Sequence, residues 1–258
     1  MAYLRHSIRT SLALQEASQD PDASPSAVVD TEHGSSESML VWARSGPAME
    51  VQARWTAALA RGLKRDATLM DVVETPESLA PSQEEVLQDR VANRLGELRQ
   101  LHQEQFHDVR ADVQVRLTRS AERNVVDSAK LERRDPIVLW APVREWVIRT
   151  LLRTTDCTVL VLRAPESPSD LTSVGVADGD RPALSIAQAL IRGARTDLSL
   201  RQVHHLDPER VDEVPCQVAC VSFPTPSWAR SRLFRRQRPV PETKGGIVEV
   251  YCGEDQTT

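Results

Sequence analysis

The stretch that most restricts what this chain can become is Arg134–Arg163, RDPIVLWAPVREWVIRTLLRTTDCTVLVLR. An unbroken apolar run, Ile137 to Trp140, ends at Ala141-Pro142. Val143, Trp146, Val147 and Leu151 then recur on one helical face, and a second apolar run spans Cys157 to Leu162. Neither run alternates strictly, so each suits a strand buried on both faces, and a connection of about a dozen residues is what parallel neighbours require. Strand, helix, strand is the reading, and it excludes a hairpin.

The flanking sequence extends this unit in both directions. Met39 to Ala43 reads as a strand, Gly46-Pro47 as a helix start, and Val51, Trp55, Ala58, Leu59 and Leu63 as a buried helical stripe. Ala67 to Val73 is a second strand. Ser82 to Gln105 is a long helix with Leu87, Val91, Leu95, Leu98 and Leu101 on one face and charge on the other. Val109, Ala111, Val113, Val115 and Leu117 alternate with Arg110, Asp112, Gln114 and Arg116, the pattern of a half-exposed strand near a sheet edge. A helix from Ser120 to about Arg133 leads into the opening stretch. The order from Met39 is β-α-β-α-β-α-β-α-β, a doubly wound α/β domain.

Pro165 to Pro168 and Asp170 mark a break, after which the opening order returns at a distance of roughly 135 residues. Leu171 to Ala177 is a strand, Asp178-Gly179-Asp180-Arg181-Pro182 a turn, and Leu184, Ala187, Leu190 and Ile191 the stripe of a helix. Leu198 to His204, Gln217 to Phe223 and Ile247 to Cys252 are further strands, but a loop rich in Pro and Arg stands between the last two. The expected domains are a tail over 1–37, an α/β domain over 38–165 and a shortened second module over 170–254. The tail opens with an amphipathic segment, Tyr3 to Ala17, followed by turn-forming residues.

Composition narrows the function classes. At 258 residues, 40% hydrophobic content is enough for a packed core, and a net charge of −5 argues against a general nucleic-acid binder. No run of 18 apolar residues occurs. The four cysteines sit in or beside strands and read as buried thiols. Cys216 and Cys220, four apart on a strand, would lie about 13 Å from each other, too far to share one zinc. Neither His102 with His107 nor His204-His205 has a nucleophile or acid at a suggestive spacing, and neither G-x-S-x-G nor H-E-x-x-H occurs. Catalysis is not expected. Trp42, Trp55, Trp140 and Trp146 read as core.

The order and texture of these elements resemble the universal stress protein family in its tandem, two-domain form. The resemblance covers 38–164 in full and 171–252 in shortened form, with DPIVLWAP, TLLRTTDCTVLVLR and VGVADGDRPALSIAQAL as its best local matches. It implies a doubly wound parallel five-stranded sheet of the adenine-nucleotide-binding superfamily plus a second, truncated copy. It also implies a last strand that pairs with a partner's, and either ATP binding or a non-catalytic regulatory role in stress. Stress-like tandem domains are attached to cation and amino-acid transporters as well. Families of this fold that hold ATP place an Asp at the end of the first strand and a Gly-x2-Gly-x9-Gly-Ser/Thr loop after the fourth. Here Arg44 or Ser45 stands at the Asp position, and no glycine occurs from Glu97 through Val174. A phosphate loop needs glycine because the backbone must approach the anion closely.

Two places remain as candidate sites. Asp178, Gly179 and Asp180 follow the first strand of the second module, where the resemblance places the ligand Asp. Arg230, Arg232, Arg235, Arg236 and Arg238, interleaved with Trp228, Leu233 and Phe234, form an anion or membrane-surface patch. The expectation is a non-enzymatic regulatory or scaffold protein, cytoplasmic and in the alternative peripheral to a membrane. No cofactor is expected, weak nucleotide binding being the alternative, and no specific nucleic-acid partner. The alternative is a cytosolic domain or subunit of a membrane transporter. A homodimer would use an exposed last strand, Val159 to Leu162 or Ile247 to Val250, unless those strands join the two modules.

Overall fold

The structure is a computed structural model that describes residues 38–46, 48–76, 81–132, 134–163, 173–194, 199–203, 218–224 and 246–252. The expected order is present. Strand β1 (Ser38–Trp42) leads to helix α1 (Met49–Leu63), β2 (Asp66–Glu74), α2 (Pro81–Gln105), β3 (Ala111–Thr118) and α3 (Ala121–Glu132). The opening stretch then supplies β4 (Ile137–Trp140), α4 (Glu145–Thr154) and β5 (Val159–Arg163). The second part contributes β6 (Ser173–Ala177), α5 (Arg181–Gly193), β7 (Ser199–Val203), β8 (Val218–Pro224) and β9 (Gly246–Cys252).

The nine strands among the described residues form one sheet in the order β3-β2-β1-β4-β5-β9-β8-β6-β7. Pairing is parallel throughout except at β5 and β9, which run antiparallel with Val159 opposite Tyr251 and Val161 opposite Glu249. The strands expected as free dimer edges are therefore used within the chain: β5 lies between β4 and β9, and β9 between β5 and β8. They join the two parts. The alternating strand β3 does end the sheet, as its pattern indicates.

Apolar residues from both faces of the strands explain the layers. Met39, Val41, Leu69, Val138, Trp140, Leu160 and Leu162 pack with α1, α2 and α5 on one face, and Val174, Val176, Val248 and Val250 continue that core into the second part. Leu40, Trp42, Met70, Ile137, Leu139, Val159 and Val161 pack with α3 and α4 on the other. Trp140 is fully buried, and its Nε1 donates to Thr56 Oγ1 at 2.9 Å, which satisfies the one polar atom of that ring. Trp146 departs from expectation at 39% exposure. Helix α4 begins only at Glu145, and Val147, Ile148 and Leu151 make its buried stripe, so Trp146 lies to one side of it.

The seam between α1 and α5 repeats itself under a local two-fold. The sequence Ala58-Leu59-Ala60-Arg61-Gly62 of α1 matches Ala189-Leu190-Ile191-Arg192-Gly193 of α5. A Cβ at Gly62 would lie 1.7 Å from the Ala189 carbonyl oxygen, and one at Gly193 would lie 1.8 Å from that of Ala58. Arg61 Nε donates to the Gly193 carbonyl at 2.8 Å, while Arg192 Nε and its guanidinium NH2 group reach the Gly62 carbonyl at 3.4 Å. Each arginine thus caps the negative end of the other helix. The sheet obeys the same relation, since β7-β6-β8-β9 stand in the order of β2-β1-β4-β5.

Candidate functional site

Strand order reverses at β1, which has β2 on one side and β4 on the other, and a crevice opens there at the carboxyl ends of the strands. Such switch points are where open α/β sheets receive ligands. The crevice is an open cleft of about 1030 Å³ lined by Trp42, Arg44, Ser45, Asp71, Glu74 and Arg94, with Pro142 and Arg144 across from them.

Its walls are tied together by the protein's own groups. Arg44, just past β1, donates to the Pro142 carbonyl, and its guanidinium carbon lies 5.2 Å from the centre of the Trp42 ring. Gln52, buried near the start of α1, donates from Nε2 to the Ala141 carbonyl at 3.2 Å and to that of Leu162 at 3.4 Å. The turn Ala141-Pro142-Val143 between β4 and α4 is thereby bound from beneath and from the side.

Carboxylates of the chain occupy the places that offer donors. Asp71, 6% exposed, accepts from the Val72 N–H at 2.7 Å and from Ser45 Oγ at 3.0 Å, with Arg94 Nε 4.0 Å away. Burial pushes its carboxyl above the ordinary value of 3.8, against the pull of Val72, Ser45 and Arg94. Glu74 accepts the Ala121 N–H at 2.9 Å and so takes up the start of α3. Arg144 Nε pairs with Glu122 at 3.2 Å, and Arg94 with Glu97 at 2.6 Å. Arg94, Arg144 and the N–H groups of Val72 and Ala121, donors that an incoming anion could use, are thus engaged by internal acids.

The candidates from sequence lie elsewhere. Asp178 and Gly179 form the exposed turn after β6, with Gly179 at φ +81°. Asp180 caps α5, accepting the Ala183 N–H at 3.0 Å. The structure brings Asp180 to a helix start, but its carboxylate fills the position an anion would take. Arg230, Arg232, Arg235, Arg236 and Arg238 lie outside the described residues, as does the segment Tyr3 to Ala17. Among the described residues no cluster of three His, Cys, Asp or Glu could hold a metal, and no described helix is long and apolar enough to cross a membrane. Asp71 is the residue the sequence reading passed over. Its signal was present: a lone acid in the apolar run LMDVV of a doubly covered strand.

No family model and no curated protein matches this chain. A universal stress protein from Archaeoglobus fulgidus DSM 4304 superposes with a TM-score of 0.55 at 10% identity, covering 85% of this chain and 99% of that one. The chain has the universal stress protein fold. A functionally unknown protein from Pseudomonas aeruginosa PAO1 aligns at TM-score 0.48 and 12% identity over 85% of this chain and 93% of its own. A universal stress protein family member from Burkholderia pseudomallei, at TM-score 0.35 and 18% identity, covers 49% of this chain and 96% of its own. In this universal-stress-type fold the crevice beside β1 and β4 is crossed by Arg44, and Pro142, which has no N–H to offer, stands in the turn that leads to α4.

Proposed function

We propose that this chain is a non-enzymatic regulatory or scaffold protein that acts through protein contacts, with the walls of the open β1–β4 crevice tied to each other by internal contacts. One observation carries the reading. Arg44, two residues past the end of β1, reaches across the crevice to the Pro142 carbonyl. A phosphate group seated there would have to displace that contact and compete with Asp71 and Glu74 for backbone donors. The family resemblance implies a nucleotide through a ligand Asp and a glycine loop; the first part of this chain has neither at β1 and β4, and the second part has only Asp178 and Gly179. The alternative, regulation of a membrane transporter from the cytoplasmic side, draws its support from the arginine-rich segment Trp228 to Arg238.

Thermal denaturation of the full chain with ATP, AMP and cyclic dinucleotides tests the main reading. A ligand at 100 times its Kd stabilises a protein by about 2.7 kcal/mol, an easily measured rise in Tm. The expected outcome is an unchanged Tm with every one of them. A rise that Arg44→Ala alters would assign the crevice to nucleotide binding and overturn the proposal. Flotation with anionic vesicles, comparing wild type with the Arg230, Arg232, Arg235 and Arg236 to Ala variant, tests the alternative, which fails if the two float equally.

A further inference from the structure

Because β5 and β9 consume each other, the edge left for association is β3. It is eight residues long, keeps unbroken register with β2 from Ala111 to Thr118, and contains no proline. Natural sheets blunt such an edge by bulges, prolines, shortness or charge; of these β3 has only charge, Asp112 and Arg116. The opposite edge, β7, is only five residues long.

The direction of the β3 backbone follows from its bonds to β2. The Ala67 N–H donates to the Arg110 carbonyl and the Thr75 N–H to the Thr118 carbonyl. Even-numbered residues therefore face β2. Ala111, Val113, Val115 and Leu117 turn their N–H and C=O groups outward, where the described residues supply no strand.

We infer that β3 is a self-complementary edge that pairs antiparallel with β3 of a second copy of this chain, about a two-fold axis at Gln114. The register is set by the sequence ADVQVRLT. Centring on Gln114 places Val113 opposite the partner's Val115 and Ala111 opposite the partner's Leu117, so all four outward-facing residues of each strand fall into hydrogen-bonded pairs. The same register sets Asp112 opposite the partner's Arg116, and Arg116 opposite the partner's Asp112. These fall at non-hydrogen-bonded positions, where side chains approach most closely. Asp112 is exposed, and Arg116, ion-paired with Glu132 and bonded to Ser128 and Gln114, keeps its side chain 30% exposed, so the partner's Asp112 would be a second carboxylate on one guanidinium. Shifting the axis to Val113 or Val115 would keep the backbone bonds possible but would lose both charge pairs. Charge thus selects one register and a second copy as occupant.

The test measures the mass of the full chain by light scattering across a concentration series, together with two variants. Wild type should be dimeric at high concentration. Asp112→Arg should raise the dimer dissociation constant roughly tenfold or more, since two attractive pairs become two repulsive ones. In a background with Cys216 and Cys252 changed to Ser, Gln114→Cys should form an intersubunit disulfide on air oxidation, because facing residues at the axis lie about 4.5 Å apart at Cα, within disulfide reach. Asp127→Cys, exposed on α3, serves as the control and should cross-link far more slowly. A monomer at every concentration overturns the inference, as does a dimer indifferent to Asp112→Arg with Gln114→Cys no faster than the control. Slow amide exchange at Val113 and Val115 in a monomer would show that another part of the chain fills the edge, and also refutes it.

Discussion

Replacing Gly62 by Ala should destabilise this protein, although the same change in an open helix stabilises. The new Cβ would sit 1.7 Å from the Ala189 carbonyl oxygen and 2.5 Å from its carbon. Ordinary C···O contact begins at about 3.3 Å, so α1 and α5 must part by on the order of 1.5 Å. That movement stretches the Arg61 bond to the Gly193 carbonyl, now 2.8 Å. Helix propensity favours Ala by about 0.8–1 kcal/mol, whereas overpacking costs about 1–3 and a weakened charged hydrogen bond adds up to about 1.5–3. The net expectation is a loss of about 2–4 kcal/mol. Gly96, on α2, has nothing within 4 Å of where its Cβ would stand. Gly96→Ala should therefore stabilise by about 0.5–1 kcal/mol. Urea unfolding of wild type and both variants, compared by midpoint at constant slope, makes the sign itself the readout. If Gly62→Ala gains stability as Gly96→Ala does, the close packing of α1 on α5 is wrong.

Two further outcomes follow from named contacts. The Asp71 carboxyl binds its proton more tightly folded than unfolded, so wild type should lose stability as pH rises from about the ordinary carboxyl value through the higher folded value; Asp71→Asn should flatten that decline, seen in urea midpoints between acid and neutral pH, and an unchanged slope would contradict the burial of this group. Thr56→Val keeps the shape of its site but strands the fully buried Trp140 Nε1, now 2.9 Å from Thr56 Oγ1. A loss of about 1–3 kcal/mol is expected, and chemical denaturation showing none would mean that the indole has another partner.

Much of the fold is legible in the residues. The apolar runs of β4 and β5, the long stripe of α2 and the alternation of β3 reflect local periodicity, which survives without knowledge of neighbours. The crevice is less so. Arg44 and the missing glycines could be read directly, but Asp71 looked like an ordinary strand position until burial from both sheet faces and the reach of Ser45 and Arg94 were placed around it. Asp178 and Asp180 drew attention through family order, yet an acid before a helix is equally a cap, and only the bond to Ala183 distinguishes the two.

The seam shows the same division. The repeated Ala-Leu-x-Arg-Gly segments are present in the sequence, 131 positions apart as Gly193 follows Gly62, but in isolation each is a common helix ending. By itself the sequence determined a doubly wound α/β chain, a sheet edge at β3 and a turn after β4 without the glycines that cradle phosphate, because periodicity and backbone chemistry are local properties. The tertiary structure alone decided that β5 meets β9, that each arginine caps the opposite helix and that carboxylates fill the crevice. The first two outcomes depend on pairings between residues more than 80 positions apart and the third on contacts between neighbouring elements as far as 47 positions apart, and such pairing is settled by packing rather than by any stretch read alone.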